Sequence, residues 1–133
     1  MKKLLFLVSA VVCLSCSSNE RSDDTSDTSG SIVGKWKLAS SSESLSSCNL
    51  DNATYQFNSD LSAKETDGHM SGNDCIKSSY NEKYSLSGSV LIIKELKSNG
   101  TVNDQFTFQV LQLTTKTMKL NISGTTLTYS KID

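Results

Sequence analysis

Proline is missing from all 133 residues, so no stretch is barred from the centre of a β-sheet by an absent N–H. Histidine and arginine occur once each, as His69 and Arg21. A single imidazole argues against multi-histidine metal sites and against a catalytic relay. No glycine-rich phosphate loop and no serine nucleophile elbow occur, and Glu65, Asp67 and Asp74 read as surface acids, so catalysis is not expected. Basic charge is also short. The formal net charge is −1, which excludes the broad basic face that nucleic acid demands. No apolar run reaches the roughly 20 residues of a membrane-spanning helix.

What is present begins with Met1-Lys2-Lys3, an apolar stretch over residues 4–12 and Cys13-Leu14-Ser15-Cys16. A positive start, a short apolar core and a small residue before the cut describe a secretory signal. Leu14-Ser15-Cys16 resembles a bacterial lipobox, although Cys13 stands where an aliphatic residue is usual. The reading is therefore a signal peptide over residues 1–15 and a lipidated Cys16, held by acyl chains at roughly 0.8 kcal/mol per buried methylene. Loss of Lys2 and Lys3 leaves 11 of the 13 basic residues against 14 acids, a net charge of −3 on the mature chain. Ser17 does not resemble an inner-membrane retention signal, so an outer-membrane location is expected, with the leaflet left open. Residues 17–31 carry Ser, Asp and Thr and no apolar side chain, so residues 16–31 form a tether between anchor and domain. As a coil it spans about 20 Å, and extended about 50 Å.

Residues 32–133 have a period of two. Trp36 and Leu38 alternate with lysines, Tyr55 and Phe57 with Thr54 and Gln56, and Tyr84 and Leu86 with serines. Phe106, Phe108 and Val110 follow, then Met118, Leu120 and Ile122, then Leu127 and Tyr129. The spacing predicts eight strands near 34–40, 53–58, 61–66, 80–87, 89–96, 102–113, 116–122 and 125–132, and no amphipathic helix. Ser87-Gly88, Asn99-Gly100, Ser123-Gly124 and Asn58-Ser59-Asp60 mark tight turns. The fold expected is all-β, an eight-stranded antiparallel up-and-down barrel, with a two-sheet sandwich as the alternative. Two irregularities stand out. Val90-Leu91-Ile92-Ile93 is apolar on both faces, and the apolar set slips by one residue after Val110, which predicts a bulge there.

Cys48 and Cys75 are the only cysteines of the folded part. In an oxidising compartment two such cysteines pair, closing a loop of about 27 residues worth roughly 3–4 kcal/mol by loop-closure entropy. In an up-and-down barrel the connections after strands one, three, five and seven share one rim. Cys48 falls in the long connection 41–52 and Cys75 in 67–79, so a disulfide would clamp two loops over one mouth. The alternative is a metal site of Cys48, His69 and Cys75 with Asp67 or Asp74. It lacks the tight Cys-x-x-Cys pair of structural zinc.

Taken in order, Gly34-Lys35-Trp36-Lys37-Leu38, Cys48, the Tyr55–Asp60 segment, Cys75, Tyr84-Ser85-Leu86-Ser87-Gly88 and residues 106–122 resemble the short lipocalin-like domains of bacterial lipoproteins. The resemblance covers residues 32–133 and implies a calyx with Trp36 closing its base. In that family's longer relatives an Arg packs on this Trp. Here the sole Arg lies in the tether, so the contact is missing unless Lys131 takes the role. The chain is also shorter than true lipocalins and lacks their C-terminal helix. An eight-stranded barrel either fills itself or holds one small ligand. Trp36, Leu38, Tyr55, Phe57, Tyr84, Leu86, Phe106, Phe108, Met118, Leu120, Leu127 and Tyr129 are thus expected to line a cavity for a small apolar or amphipathic ligand, or else to be core. The competing class is a non-catalytic protein-contact or inhibitor module of the cell envelope, acting through loop 41–52 or the outer face of 90–93. No cofactor is expected.

Overall fold

The computed structural model describes residues 27–133. The signal stretch, Cys13, Cys16 and the first part of the tether lie outside the described residues. Eight strands follow one another as β1 (Gly34–Ser41), β2 (Thr54–Phe57), β3 (Ser62–Ser71), β4 (Asp74–Ser87), β5 (Val90–Leu96), β6 (Val102–Leu113), β7 (Thr117–Ile122) and β8 (Thr125–Lys131), with one short helix α1 (Ser47–Asn52) between β1 and β2. Each strand pairs antiparallel with the next, and β8 returns to β1 through Trp36↔Lys131, Leu38↔Tyr129 and Ser41↔Leu127. The barrel is closed, which removes every free edge and sets aside the sandwich.

Turn chemistry matches the residues. Ser123 and Gly124 both have positive φ, at 50° and 87°, as a two-residue hairpin with the right-handed twist of its strands requires. The bulge expected after Val110 is present, since the register of β6 against β7 shifts between Val110 and Gln112. That shift turns Leu113 inward, where it is buried. Val90-Leu91-Ile92-Ile93 resolves into two buried residues, Leu91 and Ile93, with Val90 exposed and Ile92 half-buried on the outer face.

Two expectations are corrected. Residues 67–79 are not a long loop: β3 and β4 run on to Ser71↔Asp74 around a two-residue turn in which Gly72 has φ +62°. This hairpin extends past the ends of its neighbours, and apart from Gly68 beneath α1 most of its residues meet water, so no apolar alternation marks it. Residues 41–52 likewise contain a helix where none was expected. Ser46 caps it, its Oγ accepting from the Asn49 N–H at 3.1 Å, and the helix is only six residues long, too short to show a 3.6-residue period.

The even-numbered connections gather at the opposite end, and there the barrel is sealed. Trp36, Phe57, Leu113 and Met118 are almost wholly buried. The Trp36 indole N–H donates to the Ile32 carbonyl at 2.8 Å. Lys131 lies over the indole ring with Nζ 5.2 Å from the centroid, and the same ammonium donates to the Val33 carbonyl at 2.8 Å. Lys131 therefore takes the place of the absent arginine as a cation on an aromatic face. Residues leading into β1 lie against this end too, with the Gly30 N–H donating to the Leu113 carbonyl at 2.8 Å and the Leu113 N–H to the Asp27 carbonyl.

Candidate functional site

Above the sealed base, the interior changes character. Tyr55, Phe57 and Tyr84 form a contiguous aromatic wall, with ring centroids 5.3 Å apart for Tyr55–Phe57 and 5.0 Å for Phe57–Tyr84, and Tyr129 lies 5.6 Å from Tyr55. The Tyr84 hydroxyl donates to the Asn58 carbonyl at 2.8 Å and so belongs to the base. Leu38, Phe108 and Leu120 are buried as expected, while Leu86, Phe106, Ile122 and Leu127 are half-buried around the core.

Among these apolar groups sit carboxylates that the sequence reading left on the surface or did not single out. Glu82 is 2 % exposed, the one buried charged residue among the described residues. It stands on β4 in phase with Tyr84, opposite Ala63 of β3 and Glu95 of β5. Glu65, on β3, lies opposite Tyr55 on one side and Tyr80 on the other. Neither oxygen of Glu82 has a hydrogen-bond partner. Burial most of all, and then the neighbouring charges of Glu65 and Glu95, together push the Glu82 carboxyl up to about 8. Burial also raises Glu65, an effect that the neighbouring Tyr55 hydroxyl partly offsets. Tyr55 and Tyr129 are held well above the ordinary phenol value, first by burial and then by the charge of Glu65. These hydroxyls therefore stay protonated and are available as donors.

A signal for this cluster existed. Stepping back by two from Leu86 and Tyr84 lands on Glu82, from Ala63 forward on Glu65, and from Leu91 and Ile93 forward on Glu95. The usual assumption that acids face water hid it. Of the acids that were considered, Asp67 accepts from the Asn49 side chain at 2.6 Å and pins α1, while Asp74 closes the hairpin turn. His69 is exposed on the hairpin.

The rim is braced as its parity implied. Cys48 and Cys75 form a disulfide with Cα atoms 5.6 Å apart, joining α1 to β4. Both thiols are thereby consumed, which removes the Cys-His-Cys metal alternative. Among the described residues no group of His, Cys, Asp and Glu is arranged to hold a metal ion. α1 fits tightly because Gly68 has no side chain: a Cβ there would lie 2.3 Å from the Cys48 carbonyl oxygen. Leu45 and Leu50 of the same segment pack on the core. Several hollows also mark the outer surface. One of about 360 Å³ is bordered by Gln56, Lys64, Asn81, Glu82, Lys83 and Leu96, and another of about 320 Å³ by Lys37, Leu50, Ser130 and Ile132.

Residues 32–120 match the lipocalin-like domain family. The chain belongs to that family. Its barrel is similar to a lipocalin-like protein from Bacteroides uniformis, with 21 % identity and a TM-score of 0.58 over 76 % of this chain and 98 % of that one. It is also similar to an uncharacterized protein from Bacteroides eggerthii, with 22 % identity and a TM-score of 0.56 over 77 % of this chain and all of the other. No curated protein matches the chain. At these identities the likeness is one of fold. This lipocalin-like domain combines a sealed aromatic base, a disulfide-braced rim and an interior acid without a hydrogen-bond partner among the described residues.

Proposed function

We propose that this protein is a non-catalytic bacterial lipoprotein, held at the outer membrane by lipid on Cys16, whose lipocalin-like domain binds a small amphipathic ligand at the braced end of the barrel. The observation that carries the ligand reading is the asymmetry of the interior. The Trp36 end is packed with fully buried apolar groups, whereas the other half combines half-buried Phe106, Ile122 and Leu127 with tyrosines and carboxylates. Apolar walls with a few convergent polar groups of shifted pKa are the usual make-up of a small-molecule site. The anchor reading is supported by Leu14-Ser15-Cys16 and by the polar stretch after it.

Native mass spectrometry of the protein purified from its own host tests the ligand reading. A stoichiometric small molecule released on denaturation is expected, and a ligand-free mass at full occupancy would refute it. Metabolic labelling with palmitate tests the anchor: label is expected on the wild type and none on Cys16→Ser. A second reading, that of a protein-contact module, is favoured by the hairpin tip, where Met70 is 48 % and Ile76 42 % exposed on opposite faces of a disulfide-braced arm. Crosslinking from that arm in whole cells distinguishes it.

A further inference from the structure

We infer that the ligand is a protonated amine carried on a small apolar body, with the Glu82 carboxylate as its counter-charge. This rests on the ligand-binding reading and specifies the chemistry of the ligand. Glu82 is 2 % exposed and both its oxygens are sealed from solvent without a partner. An unpaired carboxylate in such a place costs several kcal/mol, and an apolar residue of similar volume would be cheaper in a barrel core. The position is thus incomplete by one positive group.

Nothing in the described residues supplies that group. The described lysines are exposed apart from Lys119, which alternates with the buried Met118 and Leu120 on β7 and so faces outward, and Lys131, which is committed at the base; His69 stands on the outer hairpin. The groups that act on Glu82 and Glu65 are other acids, Asp67 and Glu95, together with Tyr55. The interior therefore gathers acids without a counter-ion among the described residues. A hard divalent cation takes about six to eight oxygens, or six in a strict octahedron, and no described cluster is arranged to hold a metal ion. An organic ammonium asks for less: one or two carboxylates and an aromatic face. Tyr55 and Tyr129 provide such rings with centroids 5.6 Å apart, beside the acids. Phe106, Ile122 and Leu127 provide half-buried hydrocarbon for the remainder of the molecule.

Calorimetric titration of the purified protein with octylamine, octanol and octanoate at one pH tests the inference, repeated in buffers of different ionisation enthalpy. Octylamine is expected to bind at least tenfold more tightly than octanol, with octanoate weakest, and to expel up to one proton from the Glu82–Glu65 pair. Glu82→Gln should abolish both the preference and the proton release while octanol binding persists. Where E82Q does not fold, Glu65→Gln, at a half-exposed position, should weaken the preference and leave octanol binding in place. Equal binding of octanol and octylamine would overturn the amine while leaving the ligand reading intact. So would an amine preference that survives E82Q. Binding of none of the three probes would overturn the amine inference, and native mass spectrometry then decides the ligand reading separately.

Discussion

Replacing Glu82 by glutamine should change not how stable this barrel is at low pH but how its stability depends on pH. The wild-type carboxyl titrates near 8 in the folded chain against an ordinary value of 4.5, because burial and Glu65 disfavour its charge. The folded state therefore holds a proton that the unfolded state has released across that interval. Where the native state binds more protons, stability falls as pH rises. The loss begins above about 4.5, grows through neutrality and levels off above about 8. At 1.36 kcal/mol per unit the full interval corresponds to about 5 kcal/mol, shared between Glu82 and Glu65 because they titrate as a pair. With about 4–8 °C per kcal/mol for a domain of this size, the melting midpoint should drop by some 15 °C or more between pH 5 and pH 8.5. E82Q keeps the shape but cannot ionise, and it also relieves Glu65 of a like charge. Its stability should lie within about 1 kcal/mol of wild type at pH 5 and exceed it clearly at pH 8.5. Asp27 and Asp60 are held low by Ser29 and Ser62 and act only in more acid solution, so they do not confuse the window. Urea denaturation of both proteins from pH 5 to 9, with the disulfide intact, measures the difference. Parallel pH profiles for the two would refute the assignment of a buried, uncompensated carboxyl.

Three further outcomes are expected. Cys48→Ser with Cys75→Ser should lower stability by about 3–4 kcal/mol in urea denaturation, and dithiothreitol should destabilise wild type but not the double variant. Gly68→Ala should cost about 1–3 kcal/mol, because its Cβ would meet the Cys48 backbone and push α1 away from β3, whereas Gly72→Ala meets no atom and is limited to the strain of φ +62°. Lys131→Ala should cost about 1–2 kcal/mol through loss of the cation over Trp36 and of the bond to the Val33 carbonyl, with a shift in Trp36 fluorescence, and Lys131→Arg should restore most of it.

Much of the barrel could be read in advance because its strands meet one face with water and one with core. Trp36 with Leu38, Tyr55 with Phe57 and Phe106 with Phe108 obey that rule, and even the bulge after Val110 showed itself as a slip in phase. Reading failed where the rule has no purchase. The hairpin 67–79 projects beyond the core, so Asp67 to Asn73 are polar or glycine apart from Met70 and resemble a loop. α1 is too short for periodicity, and its only local mark is Ser46 three residues before Asn49. The acids were missed for a different reason. Glu65, Glu82 and Glu95 are in phase with the core but opposite to it in polarity, and only the closed register shows that phase prevails. Local pattern gives way to function at such places.

The route by which the chain enters the barrel has a directional consequence. Asp27 and Gly30 are hydrogen-bonded to Leu113, at the floor that Trp36 seals. If the proposed lipid is carried on Cys16, 11 residues upstream of Asp27, the floor would be leashed within about 40 Å of the bilayer, at the end of the barrel opposite the braced mouth. A guest would then be exchanged with the aqueous side rather than drawn sideways out of the lipid leaflet. The domain would work as an upright cup on a short stalk, not as a scoop lying on the membrane.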